Sequence, residues 1–215
     1  MMHISEGVLS APVLLTGAAA TAAGTAIALK KIDNEDIPQV GIVSAALFVG
    51  NLIHIPIGPT SIHLVLNAIA GILLGWKAFP AFLVAFLLQS ILFQFGGLTA
   101  LGVNVFMVAL PAVVCHYLFK VLIKKGESSK WLGISGFICG AVAISLTVIL
   151  LMFSLIFTHD SFYEMARMIL AGNLVLVIIE ALLTGFCLVF LRKVKPELFI
   201  DLQVEGGGLK GSERV

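Results

Sequence analysis

Seven apolar stretches alternate with short polar breaks along this chain, at about 8–29, 38–55, 62–76, 78–95, 103–124, 131–157 and 169–192. A run of roughly 17–25 apolar residues is long enough to cross a bilayer as a helix. The pattern predicts an all-α fold, a polytopic membrane bundle of seven transmembrane helices. The third stretch is short, so it tilts, thins the bilayer locally or enters as a partial helix. Two stretches carry small residues four apart, Gly71 with Gly75 and Gly136 with Gly140, which permits close helix contact. The run from Gly17 to Ala28 is mostly Ala, Thr and Gly and predicts a tightly packed helix rather than a lipid-facing one. After Pro196 the sequence turns polar and Gly-rich, so residues 1–199 form the membrane domain and 200–215 a flexible tail.

Composition agrees with the pattern. Of the 215 residues 60% are hydrophobic and 12% charged, against about 25% charged in soluble domains. Mean hydropathy is +1.10. The net charge of +1 argues against nucleic-acid binding. No basic residue precedes Lys30, so the N-terminus lacks the charged flank of a secretory signal. Cys115, Cys139 and Cys187 lie inside apolar stretches at no metal-binding spacing and read as packing residues.

Basic residues set the orientation. Lys30 and Lys31 fall between stretches one and two, and Lys77 between three and four. Lys124, Lys125 and Lys130 fall between five and six, and Arg192, Lys193 and Lys195 after seven. Seven crossings put all of these on one side, which the positive-inside rule makes the cytoplasm. The N-terminus is then outside and the C-terminus cytoplasmic. His3, the His54–His63 stretch, the 95–103 connection and His159 all come out externally.

The candidate chemistry collects on that outer side. A terminal amine, neighbouring amide nitrogens and a histidine within the first three residues can surround a late transition ion in one plane. Such nitrogen coordination suits Ni²⁺ and Cu²⁺, and oxygen-preferring Mg²⁺ and Ca²⁺ fit it poorly. In "NLIHIPIGPTSIHLVLNA", Pro56, Gly58 and Pro59 break any helix and predict an ordered loop. Thr60 or Ser61 is placed to cap the third helix, with His63 in its first turn. His54 takes a supporting or structural role. In "FQFGGLTALGVNVF", Gln94, Thr99 and Asn104 are polar groups able to orient a metal-bound imidazole. Glu180, midway through the last stretch, is expected to face protein or water, paired with another subunit, capping another helix or protonated.

These stretches resemble one family. "MHISEGVLS", "HIPIGPTSIHL" and "FQFGGLTALGVNVF" are similar to the signatures of the cobalt/nickel substrate-binding M subunits of energy-coupling-factor transporters, the CbiM/NikM family, and the similarity runs from residue 2 to about 199. The resemblance implies that the N-terminal segment folds back into the outer cavity. The metal donors carried over are Met2 (its amine), His3 (backbone nitrogen and imidazole) and His63. Candidate supporting residues are His54, Ser61, Gln94 and Asn104. The family begins Met-His where this chain reads Met-Met-His, so the match is complete if translation starts at Met2. A retained Met1 offers its own amine with the amides of Met2 and His3 and the His3 imidazole, and leaves His63 axial or unused.

The resemblance also implies Co²⁺ or Ni²⁺ as transported substrate, no prosthetic group, and a place in a bacterial or archaeal cytoplasmic membrane. The implied partners are a transmembrane coupling (T) subunit, an ATP-binding cassette ATPase and a small accessory membrane subunit. "HIPIGPTSIHL" is closer to the cobalt-associated members, which links to cobalamin synthesis. The chain has no G-x-x-x-x-G-K-[ST] loop, so it is read as a transport subunit without its own ATPase site rather than an enzyme. The alternative is an ion- or proton-coupled secondary metal transporter, which needs more intramembrane acidic residues than Glu180. An intramembrane metalloprotease needs an H-E-x-x-H motif, absent here.

Overall fold

The computed structural model describes residues 4–57, 60–124, 126, 128–159, 163–196 and 199, with residues 54–57, 60–62 and 163–172 described by their backbone. Met1, Met2, His3 and the 200–215 tail lie outside the described residues. Seven α-helices occur among them: α1 (Ala11–Leu29), α2 (Ile37–Gly50), α3 (Asn67–Leu74), α4 (Ala78–Phe93), α5 (Leu101–Ile123), α6 (Ser129–Ile156) and α7 (Tyr163–Val194). Five runs are long and apolar enough to cross a membrane: α1, Asn67–Phe93 taken through α3 and α4, α5, α6, and Asn173–Val194 of α7. α2, at 14 residues, is about 21 Å long, short of a hydrocarbon core of about 30 Å.

Among the described residues the chain departs from all-α at one place. The second stretch stops being helical at Gly50, and an antiparallel hairpin follows, β1 (His54–Ile57) with β2 (Thr60–His63). Pro56 has no N–H for a helix, and the β-branched Ile55, Ile57 and Ile62 favour extended backbone. His63 therefore ends a strand instead of opening a helix, and α3 begins four residues later. α7 starts at Tyr163, six residues before the apolar stretch that announced it.

Contacts at the helix ends sort the connections. At one end the Asp36 carboxylate pairs with the Lys77 ammonium, and Lys31 lies over the Trp76 ring, 5.6 Å from its centre. The Trp131 indole N–H donates to the Leu122 carbonyl (2.8 Å), joining the start of α6 to the end of α5. At the other end Glu6, Thr99, Ser10 and Thr158 meet.

Small residues set the helix spacing. A methyl on Gly71 would collide with the Ala112 backbone of α5. One on Gly140 would lie 2.7 Å from the Ala181 Cα, and one on Gly136 would lie 2.8 Å from the Gly185 Cα, so α6 and α7 run nearly backbone to backbone. α1 corrects its expectation in part. Gly17, Thr21, Gly24 and Ala28 are buried along one stripe, with the Thr21 hydroxyl donating to the Gly102 carbonyl (2.6 Å). Most of the remaining small-residue surface of α1 is exposed. Cys115 and Cys139 are buried free thiols, each against the other's carbonyl, and Cys187 is half-buried and also free.

Candidate metal site

Two segments build the site, and each enters the bundle as non-helical chain. The first is the N-terminal segment up to Ser10. Asn104, in the first turn of α5 and 3% exposed, clasps it. The Ile4 N–H donates to Asn104 Oδ1 (2.9 Å), and Asn104 Nδ2 donates to the Ile4 carbonyl (3.1 Å). A side-chain amide thus reproduces the pairing of a neighbouring strand. Ile4 and Leu9 are buried in a cluster with Val103, Met107, Leu151 and Leu155. The Thr99 N–H donates to Glu6 Oε1 (3.3 Å), and the Ser10 N–H donates to Thr158 Oγ1 (3.3 Å). Gly97 has φ +78°, a left-handed conformation that favours glycine, and the Glu6 side chain fills the space where a Cβ would stand. Residue 4, next to His3, is therefore fixed in depth and register against α5.

The second segment is the hairpin and its return into the bundle. The register sets His54 opposite His63 across the two strands. His63 is 4% exposed. Its Nδ1 lies 3.4 Å from the Leu64 carbonyl, and a proton held there makes Nε2 the acceptor nitrogen of the ring. Past His63 the backbone turns into α3 through Leu66, whose φ is +56°. The fully buried Glu180 of α7 accepts the Val65 N–H, and the Leu66 N–H approaches its two carboxylate oxygens at 3.1 and 3.2 Å. Asn67 Nδ2 donates to Thr147 Oγ1 of α6 (2.9 Å).

The two segments share a wall. Thr147, which holds Asn67, is one turn of α6 from Leu151 and two from Leu155, which pack in the cluster of Ile4 and Leu9. One helical turn is about 5.4 Å. The N-terminal segment and the base of the hairpin thus descend side by side.

The sequence-predicted residues fare differently. His63 is buried at the end of β2. Asn104 is buried, but it holds the Ile4 backbone where an imidazole partner was expected. Gln94 ends α4 in the left-handed region (φ 56°) with its side chain exposed, and Thr99 meets Glu6 through its backbone. Ser61 and His54 lie on the hairpin backbone; their side chains, like Met1, Met2 and His3, fall outside the described residues. The helix cap expected from Thr60 or Ser61 is not made: Leu66 is the N-cap residue of α3, and Glu180 binds the two amides that lead into the helix. Glu180 is enclosed within the bundle, so the subunit-docking role is replaced by the capping one. Sequence reasoning passed over Glu6 and Thr158; the signal for Glu6 was its place in a polar turn facing a pair of glycines. Among the described residues no three His, Cys, Asp or Glu side chains converge as a metal cage.

The sequence and the fold both have counterparts in known proteins. Residues 3–198 match the family pattern described as CbiM, cobalt uptake substrate-specific transmembrane region. The chain belongs to the CbiM family. A relative in Haemophilus influenzae carrying a provisional metal-transport name is 38% identical over 92% of this chain and 96% of its own length. The fused nickel transport protein NikMN of Rhodobacter capsulatus is 39% identical over 48% of this chain and 31% of its own length. A crystal structure described as a transition metal transporter superposes on this CbiM-family chain with TM-score 0.72 at 27% identity, over 97% of this chain and 100% of the other. The family membership makes this chain a transmembrane component of cobalt and nickel uptake.

Proposed function

We propose that this CbiM-family chain is the substrate-binding subunit of an ATP-driven importer of the energy-coupling-factor type, and that it captures Co²⁺ or Ni²⁺ through its own N-terminus. The donors are the amine of Met2, the backbone nitrogen and imidazole of His3, and the imidazole of His63. Four nitrogens then surround the ion, a set suited to late first-row metals. The observation that carries the reading is the reciprocal clasp of Ile4 by Asn104. It spends a buried side chain on holding backbone one residue from His3, on the same wall that holds the base of the His63 strand.

The chain crosses the membrane seven times with its N-terminus outside. Support comes from the pairing of Asp36 with Lys77 and of Lys31 with Trp76, which gathers basic connections at the end opposite Glu6 and Thr158. With α2 near 21 Å and α3 only 8 residues long, two of those crossings are short. A coupling membrane subunit and a cassette ATPase supply the energy in a cytoplasmic membrane. The fusion in NikMN supports a further small membrane component as partner.

The test is metal content. Purified protein with a free Met2 amine should hold one Co²⁺ or Ni²⁺ per chain, and His3→Ala and His63→Ala should each lose it. Full stoichiometric metal in both variants, or undiminished capture after a tag blocks the amine, would refute the reading.

A further inference from the structure

His63 is not held by a helix. It ends a strand, and the chain turns at Leu66 through a left-handed conformation that leucine seldom adopts before α3 begins. Backbone of this kind persists only where its surroundings over-determine it, and it concentrates where a ligand is held. Two N–H groups at the turn, those of Val65 and Leu66, fall inside the bundle, with Val65 1% exposed. Their acceptor is a carboxylate 114 to 115 residues away in sequence, fully buried on α7. The same carboxylate lies at the start of α3, where the unsatisfied amides of a helix favour a negative charge. Leu66 in turn packs where a Cβ on Gly50 would stand, so the bend is also wedged against the end of α2.

We propose that Glu180 is the positioning residue of the metal site. By fixing the Val65 and Leu66 amides it sets the depth and direction of the strand end that presents His63, without touching the metal. The inference rests on the reading of His63 as a ligand. Partners that orient a ligand usually contribute about 10–100-fold to metal affinity.

The experiment uses the full chain in detergent with an authentic N-terminus, and Co²⁺ alone as the probe. Affinity and the visible d–d absorption of bound Co²⁺ are read for Glu180→Ala, Glu180→Asp and Glu180→Gln. Glu180→Ala should weaken binding about 10–100-fold and change the band shape. Glu180→Gln, which keeps an oxygen in place to accept the amides, should restore most of the affinity and the native band. Glu180→Asp, one methylene short, should fall between. If Glu180→Ala does not fold, the other two decide, and wild-type affinity and spectrum for Glu180→Asp would overturn the proposal. Hydrogen exchange of the Val65 and Leu66 amides in metal-free protein separates the two readings. Loss of their protection in Glu180→Ala, with Co²⁺ binding intact in His63→Ala, would overturn the ligand assignment but not the anchor. Unchanged protection in Glu180→Ala would overturn the anchor itself.

Discussion

Removing the Asn104 side chain should uncouple metal capture from the integrity of the bundle. The two bonds to Ile4, at 2.9 and 3.1 Å, are both buried. An ordinary hydrogen bond contributes about 0.5–1.5 kcal/mol net, and a buried group left without a partner costs about 1–3 kcal/mol. Asn104→Ala strips both the Ile4 N–H and its carbonyl of that partner. Water reaching the loosened segment offsets part of the loss, and about 2 kcal/mol is a fair net value for undocking. That corresponds to roughly a 30-fold smaller docking constant, since about 1.4 kcal/mol is tenfold. Apparent metal affinity falls by the same factor once the docked state is the minority.

The assay is Co²⁺ titration beside thermal melting, in wild type, Asn104→Ala, His3→Ala and the double variant. Affinity should drop about 30-fold in Asn104→Ala, on the docking estimate above, with little change in the melting of α4 to α7. In the His3→Ala background the second substitution should add almost nothing, because the stoichiometric metal that docking serves is already lost there. Wild-type affinity in Asn104→Ala would refute the reasoning, and so would full additivity in the double variant.

Two further outcomes follow from packing and charge. The Lys77 ammonium hydrogen-bonded to Asp36, helped by the Asp33 N–H, holds the Asp36 carboxyl below its ordinary range. A lowered folded value means that ionised Asp36 stabilises the fold above the unfolded value of about 3.9, and that this is lost as pH falls through the folded value. Melting should show about 0.2–1 kcal/mol less stability for Asp36→Asn at pH 7, with the gap closing below about pH 4; a constant gap down to pH 2 would be inconsistent with the pairing. Gly140→Ala should destabilise by about 1–3 kcal/mol, because its methyl meets the Ala181 Cα and, at 2.8 Å, the Glu180 carbonyl. It should also weaken Co²⁺ binding through Glu180, whereas Gly133→Ala, with 3.4 Å to Val189, should do neither.

Much of this was legible because the bilayer imposes long-range order on a sequence. Apolar length placed α5 and α6 within two residues of their observed ends, and the Gly136–Gly140 spacing marked the seam with α7. The hairpin was not legible as strands: Pro56, Gly58 and Pro59 announced a break in the helix, but four-residue segments with one or two isoleucines each carry too little period-2 pattern to mark strands, and the pairing of His54–Ile57 with Thr60–His63 is seen only in the structure. Asn104 stood out as polar in an apolar run, but its partner is 100 residues away and is backbone, which carries no mark in the sequence. Glu180 stood out for the same reason, with its amides 114 to 115 positions distant. The exposed side of α1 escaped notice because Ala and Thr look alike whether they face protein or lipid.

The break between α3 and α4 has a mechanical consequence. At Gly75 the chain takes φ +56° beside the His116 ring, so the apolar run Asn67–Phe93 is not one stiff rod. The short helix before the break is bolted to α5 at Gly71 and, through the turn at Leu66, to α7 at Glu180, while α4 beyond it leans on α2 through Gln89 and Phe48. A sideways push on α4 therefore dissipates at this joint instead of bending α3 with it. The turn that follows His63 stays gripped from two sides, by Glu180 of α7 and by the end of α2 where Leu66 fills the space beside Gly50, so α4 has room to shift without dragging that turn along.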